Sequence, residues 1–342
     1  MGIQIFKTKQ AMNLQNKTLL FNRSSFENLL DMNDYINAVT HAHKLHAQGN
    51  IIETNIIHAD APNGEYHVKT GGLIGENSYY GLKANGGFFK NQRDYNLPNI
   101  LGVIYLSDAS NAYPLAIFES SLISKMRTAA ATAVAAKYLK PKGPICLGVI
   151  GYGSQAKAHI EALLCVCDIQ SIKISGRNSL KAKNFAKEMD SKLSISVISD
   201  SIENVCKSSN ILITCTPSTE AFVKNEWITS GKFIGAIGAD SPGKNELEPA
   251  IMKSARIIGD IKSQIIKVGE SQHAINNGII SPDDIYGELG ELITGKIKGR
   301  SSDAELFIYD STGTAIQDIA CAAFIYEKLK DSNQITEIDL FK

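Results

Sequence analysis

The chain has 342 residues, a length that suggests about two domains, and its 35 Lys+Arg balance 35 Asp+Glu. A formal charge of zero leaves no basic stripe for nucleic acid and no polybasic patch for anionic lipid. With 44% hydrophobic and 20% charged residues the chain can bury a sizeable core, which excludes disorder.

The N-terminal Met1-Gly2-Ile3-Gln4-Ile5-Phe6 lacks an apolar signal core and places Phe6 where a myristoylation signal needs Ser or Thr. The longest uncharged apolar runs, residues 145–150 and 211–215, fall far short of the roughly 20 residues of a membrane span. A soluble cytoplasmic protein is the expectation. From Ser25 to Gln48 apolar residues recur at helical spacing (Leu29, Leu30, Met32, Tyr35, Ile36, Val39) and predict a helix. Short β-rich pieces follow at residues 51–57, 65–69, 79–84, 101–108 and 114–119, separated by Gly, Asn and Pro, the pattern of an antiparallel sheet. An Ala-rich helix is predicted over residues 124–139, capped by Ser124 and stopped before Pro141.

From Ile145 onward strands alternate with helices: 145–150 then 155–164, 171–175 then 179–190, with further strands at 211–215, 232–237, 256–259 and 305–309. That alternation predicts an α/β chain with a Rossmann-type, doubly wound parallel sheet, beside a second α+β domain. The six cysteines, Cys146, Cys165, Cys167, Cys206, Cys215 and Cys321, lie mostly in apolar runs and form no C-x-x-C pair. Buried free thiols are expected, with no metal site and no disulfide.

Gly151-Tyr152-Gly153-Ser154-Gln155-Ala156 matches G-x-G-x-x-A between an apolar strand and an amphipathic helix. The first glycine permits a tight turn, the second lets backbone approach a pyrophosphate, and Ala156 allows close helix packing above the anion-binding helix start. The bland alternative is a glycine turn in an unliganded α/β domain. At the end of the next strand, where an acid would hold a ribose 2′-hydroxyl, Ser175 is followed by Gly176, Arg177 and Asn178. A cation there suits a 2′-phosphate, so NADP(H) is preferred and NAD(H) is the alternative; Arg177 also reads as a solvated surface arginine.

Taken together, Arg127-Thr128-Ala129-Ala130, the turn at Gly151, Gly238-Ala-Asp240-Ser-Pro242-Gly243-Lys244-Asn-Glu246-Leu247, Gly287-Glu288-Leu289-Gly290-Glu291 and Asp310-Ser-Thr312-Gly313-Thr-Ala-Ile-Gln317-Asp318 occur in an order that resembles the ornithine cyclodeaminase/mu-crystallin family. The resemblance implies a homodimer. It places a substrate-binding and dimerisation domain at residues 1–124 with 316–342, and a dinucleotide-binding domain at 125–315. It also implies hydride chemistry at a carbon bearing nitrogen and a carboxylate. By the same resemblance Lys83 sits near the substrate, Arg127 clamps its carboxylate, Thr128 joins the cofactor contacts and Asp240 is the catalytic acid/base. Each residue type suits its role: Arg offers a planar fork, Lys a point charge that can polarise a reacting group, and Asp a proton relay. The bland readings are a helix-initial arginine, a strand-end lysine and a turn aspartate before Pro242.

Residues 49–57 hold no base where cyclodeaminases carry a second carboxylate-binding arginine. Lys69, on the same strand face as His67, either replaces it or is an ordinary exposed lysine. The expected activity is reduction of a cyclic or open-chain imino acid, such as Δ1-pyrroline-2-carboxylate, to an α-amino acid. The alternatives are an ornithine-type cyclodeaminase that recycles NAD and a non-catalytic NADP-binding protein.

Overall fold

The computed structural model describes residues 17–342; the reading of Met1 to Phe6 lies outside them. The first half carries β1 (Thr18–Phe21), α1 (Met32–Ala47), β2 (Ile51–Ala61), β3 (Gly64–Leu73), β4 (Tyr79–Gly87), a one-turn α2 (Asn91–Asp94), β5 (Ile100–Asp108), β6 (Pro114–Glu119) and α3 (Ser120–Leu139). The second carries β7 (Ile145–Ile150), α4 (Ser154–Leu164), β8 (Ile169–Ser175), α5 (Ser179–Asp190), β9 (Ser196–Ser199), α6 (Ile202–Ser208), β10 (Ile211–Thr214) and β11 (Phe233–Ala236). Then come β12 (Arg256–Gly259), α7 (Lys262–Val268), α8 (Ser271–Asn276), β13 (Ile285–Glu288), α9 (Leu289–Ile293), β14 (Phe307–Asp310), α10 (Ala315–Leu329) and β15 (Thr336–Ile338).

Strands β7 to β14 form one sheet in the order β13-β12-β14-β11-β10-β7-β8-β9, and every pair in it is parallel. The apolar residues of its central strands, such as Ile211-Leu212-Ile213 and Phe233-Ile234, are fully buried, as strands covered on both faces must be, whereas Ile198 on the edge strand β9 is exposed. The chain runs outward from β7 to β9 and returns to β10 on the other side of β7. That reversal opens a crevice at the carboxyl ends of β7 and β10, where open α/β sheets bind ligands.

The other sheet, in the order β15-β1-β6-β5-β4-β3-β2, corrects the expected antiparallel pattern. Its β2–β6 strands are antiparallel, but β1 joins β6 in parallel and β15 closes the edge. Four residues of β1 and three of β15 are too short to stand out by alternation. On one face α10 packs against β3, β4 and β5 and meets α1 and α3. On the opposite face Ile57, Tyr66, Leu101 and Val103 are exposed.

Two helix starts differ from expectation. The Asp31 and Asp34 side chains form a reciprocal capping box, so α1 begins at Met32, and residues 23–25 make only a 3-10 turn. The carboxylate of Glu119 accepts the Ser121 and Leu122 amides, starting α3 one turn before Ser124. The alanines of α3 from Ala129 to Ala136 are fully buried, letting the helix pack closely on α1 and α4. All six cysteines are unpaired, but only Cys206 and Cys321 are fully buried; Cys146, Cys167 and Cys215 are half-buried, and Cys165, just past the end of α4, is exposed.

Candidate active site

The glycine turn after β7 has the geometry its sequence implies. Gly151 has φ +134°, and a Cβ there would lie 2.7 Å from Cys215 Sγ, so only glycine fits. A Cβ on Gly153 would meet nothing within 4 Å, which leaves open space above the start of α4. That helix has no side-chain cap, so its first amides are available to an anion. Ala156 is fully buried, while Ser154 is exposed. The ring of Tyr152 covers Gly176, where a Cβ would lie 2.6 Å from it. Together these features fit a dinucleotide pyrophosphate.

Beyond the turn, Ser175, Gly176, Ser179, Lys183, Asp200 and Ser201 line a surface groove. Two of the expected cofactor contacts are engaged within the fold: Ser175 Oγ donates to the Asp200 carbonyl at 2.9 Å, and Asn178 Oδ1 accepts the Lys181 amide at 3.0 Å as the cap of α5. Arg177 is exposed beside them.

A cavity of about 270 Å³ between the two sheets brings together Lys69, Lys83, Arg127, Thr128, Gln155 and Asp240. Lys69 and Lys83 are cross-strand partners on β3 and β4. Both are almost fully buried, so Lys69 is not an ordinary exposed lysine. Lys69 Nζ donates to the carbonyls of Thr312 and Gly313 at 2.9 and 2.8 Å. Lys83 Nζ lies 2.7 Å from Asp318 Oδ2, and Arg127 Nε donates to Asp318 Oδ1 at 2.8 Å. Arg127 Nη1 also donates to Gln317 Oε1 at 2.8 Å. Thr128 Oγ1 donates back to the Ser124 carbonyl, and Gln155 Oε1 is buried with no hydrogen-bond partner.

Asp318 is the residue that sequence reading left without a role. Its two oxygens tie the arginine to one lysine, so Lys83 and Arg127 reach the cavity as a fixed pair. Burial lowers the pKa of Lys83 to about 7, against the attraction of Asp318 and with the repulsion of Arg127 and Lys69. Burial and Arg127 also lower Lys69. Burial alone would raise the Asp318 carboxyl, but Arg127 and Lys83 outweigh it and hold its pKa below the ordinary value.

Asp240 follows β11 at the carboxyl end of the parallel sheet. Its Oδ1 accepts Lys244 Nζ at 2.6 Å and Ser241 Oγ at 3.3 Å, and its side chain is 46% exposed into the recess. Crowding by protein would raise its pKa, yet the charges of Lys244 and Lys69 lower it, leaving a carboxylate. Two buried acids hold its loop. Glu246 accepts Thr214 Oγ1, the Thr216 amide and the Gly238 amide, and Glu270 accepts Asn245 Nδ2 and the Leu247 amide. The Glu246 signal lay within the quoted motif; Glu270 had none.

Comparison with known proteins agrees with this geometry. Residues 16–333 match the ornithine cyclodeaminase/mu-crystallin family. The chain belongs to that family. A protein of Archaeoglobus fulgidus named alanine dehydrogenase is 35% identical over 327 residues, 95% of this chain and 99% of its own. The iminosuccinate reductase of Paracoccus denitrificans is 34% identical over 272 residues, 79% of this chain and 83% of its own. Among solved structures, Thermococcus litoralis Δ1-pyrroline-2-carboxylate reductase, in complex with NADH and L-proline, superposes with a TM-score of 0.88 at 30% identity, covering 94% of this chain and all of its own.

Proposed function

We propose that the protein is an NAD(P)H-dependent reductase that converts a cyclic or open-chain imino acid, Δ1-pyrroline-2-carboxylate being the model case, to an α-amino acid. The oxidoreductase class rests on the family and on relatives that, by name, act on imino or amino acids. The observation that carries the substrate class is that buried Lys69, Lys83 and Arg127 line one cavity with Asp240 while Asp318 pairs only Lys83 and Arg127, a cationic excess that a carboxylate would neutralise.

In this reading Arg127 and Lys83 hold the substrate carboxylate, with Lys69 adding charge from the next strand. Asp240 faces the imine nitrogen, stabilises its protonated form and relays protons there. Gly151, Gly153, Gln155 and Thr128 hold the dinucleotide, which supplies the hydride when bound. With a hydride supplied to the carbon of the C=N bond, the bonding pair would move to nitrogen, which would keep its proton as an amine beside Asp240.

The preference for NADP(H) is our reading of Arg177 and of the missing acid after Ser175. Solved relatives described as holding NAD or NADH make NAD(H) the competing outcome. The domain division, 1–124 with 316–342 against 125–315, is supported by the packing of α10 on β3–β5. A homodimer is supported by the archaeal relative described as a dimer, and we place its interface on the N-terminal domain, where Ile57, Tyr66, Leu101 and Val103 are exposed; light scattering showing a monomer at micromolar concentration would remove it. Six unpaired cysteines fit a cytoplasmic location, and among the described residues no helix is long and apolar enough to cross a membrane.

The test is to incubate the protein with NADPH or NADH and a panel of imino acids, following loss of reduced-cofactor absorbance. Arg127→Ala and Lys83→Ala should impair use of the carboxylate substrate on the order of 100-fold while sparing dinucleotide affinity. Ammonia release from ornithine with catalytic NAD, without imine reduction, would replace this reading by the cyclodeaminase one.

A further inference from the structure

The β2–β3 hairpin carries a constellation that the reaction does not use. Its register pairs His58 with His67 and Asp60 with Glu65. Because side chains two apart share a strand face, all four lie on one side of the ladder, the side that also bears Lys69. A ring nitrogen from each histidine and a Glu65 carboxylate oxygen lie within 4.8 Å of one another. His67 Nε2 is 3.3 Å from Glu65 Oε1, which is about the separation of two donors on a tetrahedral ion with bonds near 2.0 Å. His58 Nε2 lies 3.1 Å from Asp60 Oδ1, the carboxylate–histidine pairing that orients ligands in metal sites.

We propose that His58, Glu65 and His67 form a binding site for one divalent transition-metal cation, with zinc the best match to two imidazoles and a carboxylate. Two nitrogen donors select against magnesium and calcium, which favour oxygen. Three protein ligands leave a tetrahedral ion one position for water or an anionic group. Glu65 and His67 also line the cavity, so the ion sits on the cavity's outer wall. This departs from the expectation of no metal, which considered cysteines alone; the pattern His-x-Asp then Glu-x-His becomes a donor set only once the hairpin register is known.

The experiment is calorimetric titration of the chelator-stripped, full-length protein with zinc chloride, paired with the visible spectrum of the cobalt-loaded protein. One zinc per chain at micromolar affinity is expected, with the strong visible absorption of four-coordinate cobalt and no response to magnesium. His58→Ala and Glu65→Gln should each weaken binding by at least the roughly 10–100-fold seen for lost supporting groups. His41→Ala, an exposed histidine on α1, should bind as the parent does. Melting curves in chelator check that each variant is folded. Absence of stoichiometric zinc binding, or binding that survives both ligand substitutions, overturns the proposal.

Discussion

Replacing Asp318 by Asn removes one negative charge while keeping the side-chain volume, and its consequence depends on pH in a direction the structure dictates. Asp318 bridges Arg127 at 2.8 Å and Lys83 at 2.7 Å, all three nearly excluded from solvent. Leaving a buried charge without its partner costs about 3–5 kcal/mol. Because Gln317 still accepts from Arg127, about 3 kcal/mol is expected at pH 8 to 9, where Lys83, with its pKa near 7, is already mostly neutral in the parent. Below pH 7 the folded parent gains a proton on Lys83. The variant cannot, since losing Asp318 pushes the lysine lower still, and the two unfolded chains take up protons alike. The folded parent therefore gains on the variant by about a factor of ten in the folding equilibrium per pH unit, a little over 1 kcal/mol. Urea unfolding of both proteins at pH 6, 7, 8 and 9 measures this. A stability difference that is constant across that range, or that grows as pH rises, would refute the coupling between Lys83 and Asp318.

Asp240→Asn should lower turnover about 10²–10⁴-fold, as for a lost acid/base group, with dinucleotide affinity by fluorescence titration unchanged; a near-parental rate would give the proton to solvent or Lys83. Arg177→Asp should lower kcat/KM for NADPH about tenfold or more relative to NADH, and no change in that ratio would return Arg177 to the surface. Gly153→Leu should leave the melting temperature near that of the parent, because open space surrounds its Cβ position, yet abolish dinucleotide binding. Gly151→Ala, whose Cβ would meet Cys215 at a φ of +134°, should lower the melting temperature itself; the reverse ranking would contradict the turn geometry.

The centre of the parallel sheet was legible because β7, β10 and β11 are buried on both faces and read as apolar runs, and because Gly151 and Gly153 mark the turn between β7 and α4; the edge strands β9 and β13, four residues each and partly exposed, carried no such run. Strand β1 was not, since four residues cannot show alternation and its pairing with β6 joins segments almost a hundred residues apart. The start of α3 was misread because a Glu side chain, rather than a Ser, reached its free amides. Lys83, Arg127 and Asp240 were legible only through the resemblance of their motifs to the family, and sequence spacing says nothing about residues 83, 127 and 318 meeting at one carboxylate. The same blindness hid the histidines of the β2–β3 hairpin. Lys69 shows the converse: its charge was visible, and only burial against the Thr312 and Gly313 carbonyls decided between cavity and solvent.

The central claim is that hydride passes from the nicotinamide to the substrate carbon that bears nitrogen and a carboxylate, with net consumption of reduced cofactor. It is tested most directly by supplying cofactor deuterated at the transferable position together with Δ1-pyrroline-2-carboxylate, and analysing the product by mass spectrometry and proton resonance. The account predicts proline carrying deuterium at its α-carbon, with one oxidised cofactor formed per product molecule. A product that forms without cofactor oxidation, or that lacks deuterium at that carbon, would contradict it.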